Sequence, residues 1–150
     1  MLLAVLSWGW IGAAAFLCGF AVLECIFTSK AKKERGLDLY VMTGLCALTV
    51  YAQFFSLFYK VGGASTGLLL IICLLIVCVL RKSLWEYFIR LMHGSKWYWP
   101  VFFLFLAFVI LILTVQCTFH SDTDLYHAQS IRWIESLGVV KGLGNLHNRF

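Results

Sequence analysis

Polar residues interrupt this chain only in short bursts, and the intervals between the bursts set its architecture. Apolar runs extend over Leu2–Phe27, Leu39–Tyr59, Gly62–Leu80 and Pro100–Phe119. Each matches the ~20 residues that a helix needs to cross a hydrocarbon layer about 30 Å thick. In lipid every backbone amide must be paired within its own segment, so these runs predict helices; strands would alternate polar and apolar positions. The first run lacks a basic leader and a small-x-small cleavage site, and "FLC" before Gly19 is a poor lipoprotein box, so a retained span is expected.

Two further segments carry helical periodicity without spanning length. In Arg81–His93 the apolar residues Leu84, Trp85, Phe88, Leu91 and Met92 share one face, with Arg81, Lys82, Glu86 and Arg90 elsewhere. That pattern predicts a helix lying in the cytoplasmic headgroup layer, its cations drawn to anionic lipid. "KWYWP" then marks re-entry: Trp97, Tyr98 and Trp99 form an interfacial anchor, and Pro100 suits a first helical turn. After the fourth run, Leu125, Ala128, Ile131 and Ile134 recur at helical spacing, and Trp133 and Leu137 widen the stripe. Ser121 or Thr123 would cap this helix near Asp124, and Gly138 would stop it. The expected fold is an all-α membrane protein. It has four transmembrane helices over residues 1–119, an interfacial cytoplasmic helix, and an outward-facing amphipathic helix within 120–150.

Composition supports lipid as the solvent. The chain is 62% hydrophobic and 13% charged, against roughly 25% charged in an ordinary soluble domain. The net charge of +5 does not indicate nucleic acid, because the cations are not gathered on one folded face. Lys30, Lys32, Lys33, Arg35, Arg81, Lys82, Arg90 and Lys96 fall in two loops on one side; Lys60, Arg132, Lys141 and Arg149 remain for the other. The positive-inside rule then places both termini outside.

Few polar residues enter the apolar runs. Thr49, Gln53, Ser56 and Lys60 form one stripe on the second helix, a pattern expected to face another helix. Ala15 and Gly19 form a small-xxx-small pair that permits close backbone approach. Glu24 lies about one turn from the cytoplasmic edge, where it would snorkel or meet Lys30 or Lys32, a structural role. The cysteines, all within apolar runs and without a CxxC pair, indicate neither disulfides nor zinc. "VGGAST" at Val61–Thr66 reads as a tight outward turn, since no lysine–serine/threonine pair follows it as in a phosphate loop.

The chemistry of the chain concentrates in "HSDTDLYHAQSIRWIESLGVVKGLGNLHNRF", His120 to Phe150. One reading is a helix cap among solvated polar residues. A second is a metal site built from His120, Asp122, Asp124 and His127; the spacings are short and no other ligand is present, so no metal or other cofactor is assigned. A third is catalytic, with an outward carboxylate at the membrane edge acting as general base on a sugar acceptor or orienting a lipid-linked donor.

Over about thirty residues this segment resembles an uncharacterised family of large polytopic bacterial membrane proteins. The shared run is D-x-[DE]-x-Y-[YH]-x-Q-[ST]-I-[KR]-W followed by G-x-V-x-G-L-x-N-L-H. More distantly, the acidic pair at an outward membrane edge is similar to the first external loop of lipid-dependent, GT-C-type membrane glycosyltransferases. That resemblance implies a polyprenyl-phosphate sugar donor, a bacterial inner-membrane location and a role in envelope glycan synthesis. It makes Asp122 the catalytic candidate and Asp124 its alternative. Tyr126, His127, Trp133, Asn145 and His147 would line the acceptor or phosphate side. In those enzymes the acidic loop follows the first span, whereas here it follows the fourth. The resembled family is several times longer, so the chain is expected to be an N-terminal portion that lacks its partner helices and is inactive alone. The alternative is a small non-catalytic four-helix protein whose external tail docks a partner.

Overall fold

The computed structural model describes residues 2–26, 35–94, 96, 98–116 and 127–140. Those residues form five helices: α1 (Leu2–Ile26), α2 (Leu37–Phe58), α3 (Gly63–Gly94), α4 (Tyr98–Gln116) and α5 (Ala128–Ser136). The all-helical prediction holds among them. Three helices, α1, α2 and α3, are long and apolar enough to cross a membrane, and α4 is a shorter apolar helix. The expected α1 and α2 spans agree with the helices to within about two residues at the described ends, an ordinary fraying margin.

α1 and α2 form an antiparallel pair whose contact is made by backbone. Gly19 lies against the Tyr40 carbonyl and Gly44 against the Ala15 carbonyl, so closely that a Cβ on either glycine would overlap the opposite chain. Lipid tails are as apolar as leucine, so packing of this kind, rather than escape from water, drives helices together in a membrane. The predicted Ala15–Gly19 pair therefore does what its spacing suggests, and Gly44 is the complementary notch on α2.

One turn further along, the same crossing widens into an aromatic cluster. Phe16 and Phe20 of α1 meet Tyr40 of α2 and Tyr87 of α3, with ring centroids 5.1–6.0 Å apart. Tyr40 and Phe20 are the largest side chains fully removed from the surface. Each such pair contributes about 0.5–1.5 kcal/mol beyond its buried area. At this end Arg35 donates through Nη1 to the Leu23 carbonyl at 3.2 Å, satisfying an acceptor in the last turn of α1.

The separate interfacial helix expected at Arg81–His93 is corrected by the structure. Arg81–Gly94 continues the third span as one helix of 32 residues, about 48 Å at 1.5 Å per residue. No glycine or proline occurs from Leu68 to His93 to break it. Tertiary packing decides the rest: Leu84 and Tyr87 are buried in one cluster with Phe16 and Phe20 of α1.

The polar stripe on α2 also requires correction. Thr49 and Gln53 are exposed, not packed on another helix. Thr49 Oγ1 donates to the Leu45 carbonyl at 2.8 Å and Ser56 Oγ to the Gln53 carbonyl at 2.7 Å, so both hydroxyls are satisfied within α2 itself. The polar tie from α2 to α3 is elsewhere, where Tyr51 Oη donates to the Ser65 carbonyl at 2.7 Å. The α1-facing side of α2 is chosen by Gly44, and the stripe lies off that side.

α4 begins at Tyr98, so Pro100 falls in its first turn as expected. The Lys96 ammonium stands 5.9 Å from the Tyr98 ring centroid, and Trp99 stacks on Phe103. Glu24 is half-buried near the end of α1, while Lys30 and Lys32 lie outside the described residues.

Candidate functional site

α5 is short, strongly amphipathic and not free in space. It seats on the turn that joins α2 to α3. Val61 N–H donates to the Ile134 carbonyl at 3.0 Å, and Val139 N–H donates to the Ser56 carbonyl at 3.2 Å. These bonds tie the tail at both sides of the Tyr59–Gly62 turn. Because they use main-chain groups, they hold α5 in place whatever side chains surround it.

The seat depends on a glycine. Gly138 follows α5 with φ +78°, the left-handed conformation favoured just after a helix C-terminus. The Leu137 N–H bonds the Trp133 carbonyl at 2.7 Å and the Gly138 N–H bonds the Ile134 carbonyl at 3.2 Å, closing the last turn. A Cβ at Gly138 would stand 3.1 Å from the Tyr59 carbonyl oxygen and 3.2 Å from that of Ser56. Gly138 thus serves as the predicted stop and also as the point of closest approach to α2. Gly62 faces the Glu135 carbonyl across the same contact.

The apolar stripe of α5 is only partly used by this docking. Trp133 is half-buried, whereas Ile131, Ile134 and Leu137 remain exposed. An amphipathic helix with its apolar residues open in this way suits a position along a membrane surface, where acyl chains complete the contact.

Of the residues assigned to the site from sequence, His127 and Trp133 are described. His127 has helical backbone at the start of α5 and is exposed. Trp133 lies six positions later, which at 3.6 residues per turn puts the two side chains about 120° apart around the helix. They do not converge on one point. Asp122, Asp124, Tyr126, Asn145 and His147 lie outside the described residues, as does the expected helix start near Asp124. Among the described residues no three His, Cys, Asp or Glu side chains come together as a metal site. Cys73 is buried, and its thiol and that of Cys18 are hydrogen-bonding neighbours between α3 and α1, both free of disulfide.

The seat itself, Ser56 with Tyr59–Gly62, was not apparent from sequence. Its one signal is the Val61–Gly62–Gly63 turn, whose small residues leave the main chain open to a second segment.

Long apolar helices joined by a close-packed crossing define an all-helical membrane protein. The chain belongs to the family described as a domain of unknown function (DUF8201), whose sequence profile matches residues 1–150. No curated protein and no solved structure matches it.

Proposed function

We propose that this chain is part of a multi-pass bacterial inner-membrane protein that presents a carboxylate site to a lipid-linked sugar at the outer membrane edge. In this reading α4 is a fourth span, the N-terminus and α5 lie outside, and Asp122 is the general base of a polyprenyl-phosphate-sugar-dependent glycosyl transfer. The observation that carries it is the backbone tie of α5 to the α2–α3 turn. A general base needs a rigid support within reach of its proton. Asp122 and Asp124 stand four to six residues before α5 in sequence, so a fixed α5 gives the acidic segment an anchored exit.

The charge pattern supports the orientation, since eight of the twelve Lys and Arg residues fall in the Lys30–Arg35 and Arg81–Lys96 segments. Arg132 and Lys141 supply cations on the α5 side for a lipid phosphate. Tyr126, His127, Trp133, Asn145 and His147 are the residues assigned to the acceptor or phosphate side. Asp124 lies three residues before His127 and is suited to orienting that imidazole.

The test is glycan transfer in cells carrying the full-length protein with single substitutions in this segment. Asp122→Asn abolishes transfer at unchanged protein level, and Asp124→Asn weakens it. Near-full transfer by Asp122→Asn, or loss explained by reduced protein level, removes the catalytic role.

A further inference from the structure

Between the middle of α1 and the second half of α3 lies a groove of about 500 Å³. Its α1 wall is Ala13, Phe16 and Leu17. Its α3 wall is Val77, four residues before a single cation, Arg81, with Leu84 and Phe88 three and seven residues after it. These positions recur at i, i+4, i+7 and i+11, so Arg81 shares the face of α3 that looks onto α1. Trp85, 69% exposed, completes the rim.

Arg81 is the anomaly. Every other lining side chain is apolar or an indole, and among the described residues Arg81 makes no hydrogen bond or ion pair. A guanidinium beside apolar membrane helices is expensive unless it snorkels or meets an anion. Its planar fork of donors matches phosphate oxygens. Lys82 and Arg90, exposed on the same helix, add positive potential nearby. No acidic side chain lines the groove to supply the counter-charge from within the protein.

We infer that this groove binds an anionic phospholipid, with one acyl chain between Ala13–Leu17 and Val77–Phe88 and the headgroup phosphate on Arg81. The apolar walls account for the chain and the lone cation for the charge. Trp85, exposed one turn from Arg81, offers an indole of the kind favoured at the headgroup level. The continuous α3 makes the site possible. Had Arg81–His93 turned aside as a separate interfacial helix, Arg81 would not face α1. This inference rests on membrane residence alone and is independent of glycan transfer.

The experiment is native mass spectrometry of the full chain in detergent, titrated with phosphatidylglycerol or phosphatidylcholine of identical acyl chains. Both headgroups offer a phosphodiester to Arg81, but the choline cation of phosphatidylcholine offsets its charge and repels the guanidinium, so net charge favours phosphatidylglycerol by about tenfold. Arg81→Gln removes that preference, while Arg90→Gln, outside the groove, keeps it. Ala13→Phe fills the acyl slot from an exposed position on α1 and lowers retention of both lipids. Excess inorganic phosphate does not displace the bound lipid. Equal retention of the two lipids by the natural chain overturns the inference, as does a preference that survives Arg81→Gln or unchanged retention in Ala13→Phe. Displacement by phosphate alone would make this a bare anion site and overturn it equally.

Discussion

Gly44 of α2 rests on the carbonyl of Ala15 in α1, leaving no room for a side chain at that position. The contact is backbone against backbone, and neighbouring Gly19 repeats it against Tyr40. A methyl group added there cannot be absorbed by a flexible neighbour, because the atoms it meets are main chain.

Gly44→Ala therefore lowers stability by about 1–3 kcal/mol through overpacking. Thermal unfolding of the detergent-solubilised chain reads this as a lowered midpoint. Gly12→Ala is the control: a Cβ there meets nothing within 4 Å, and alanine is the better helix former. Its midpoint should be unchanged or slightly raised. Equal losses at both positions would mean that the crossing is not the source.

Gly138→Ala tests the seat of α5. A non-glycine residue held at φ +78° carries a penalty of about 1–2 kcal/mol, and the added carbon crowds the Tyr59 carbonyl. The tail should loosen from the turn without unfolding the bundle. Amide hydrogen exchange at Val61 and Val139, whose N–H groups make the tie, should accelerate by about tenfold or more. Protection in the middle of α1 should stay constant.

Tyr87→Phe addresses a buried hydroxyl. Tyr87 is 6% exposed, and its Oη has no hydrogen-bond partner among the described residues. The ring packs against Phe16, Phe20 and Tyr40, and phenylalanine keeps that packing. Removing an unsatisfied buried polar group is neutral or stabilising, by up to about 1 kcal/mol. Tyr87→Ala instead opens the aromatic cluster and should cost about 3–5 kcal/mol, as for other large aromatics. A clear loss on Tyr87→Phe would reveal a partner for the hydroxyl.

Orientation is tested by cysteine accessibility in a background lacking the native cysteines. An impermeant maleimide applied to intact cells should label Ser136→Cys and leave Ser29→Cys unlabelled until the membrane is opened. The reverse pattern would invert the proposed topology.

Helix identity was legible in the sequence because length and apolarity in lipid leave the backbone no other way to pair its amides. The Ala15–Gly19 spacing and the stop at Gly138 were legible for a similar reason, since each is a local consequence of a missing side chain. The catalytic assignments had no such local warrant: His127 and Trp133 point about 120° apart around one helix, and the acidic pair precedes the described part of α5.

What remained for tertiary structure was the choice among faces. Periodicity marks which residues share a side of a helix, not which neighbour that side meets. The stripe through Thr49 and Gln53 therefore suggested an interface, whereas the backbone approach at Gly44 turned a different face of α2 toward α1. Periodicity also gave Arg81–His93 an apolar face without showing whether lipid or protein would cover it. The ridge of Phe16 and Phe20 covered it in part, through Leu84 and Tyr87, and α3 continued unbroken. The docking of α5 was furthest from reach, because main-chain donors and acceptors are the same at every residue. Only the fold selects Val61 and Ile134 as partners across more than seventy positions of sequence.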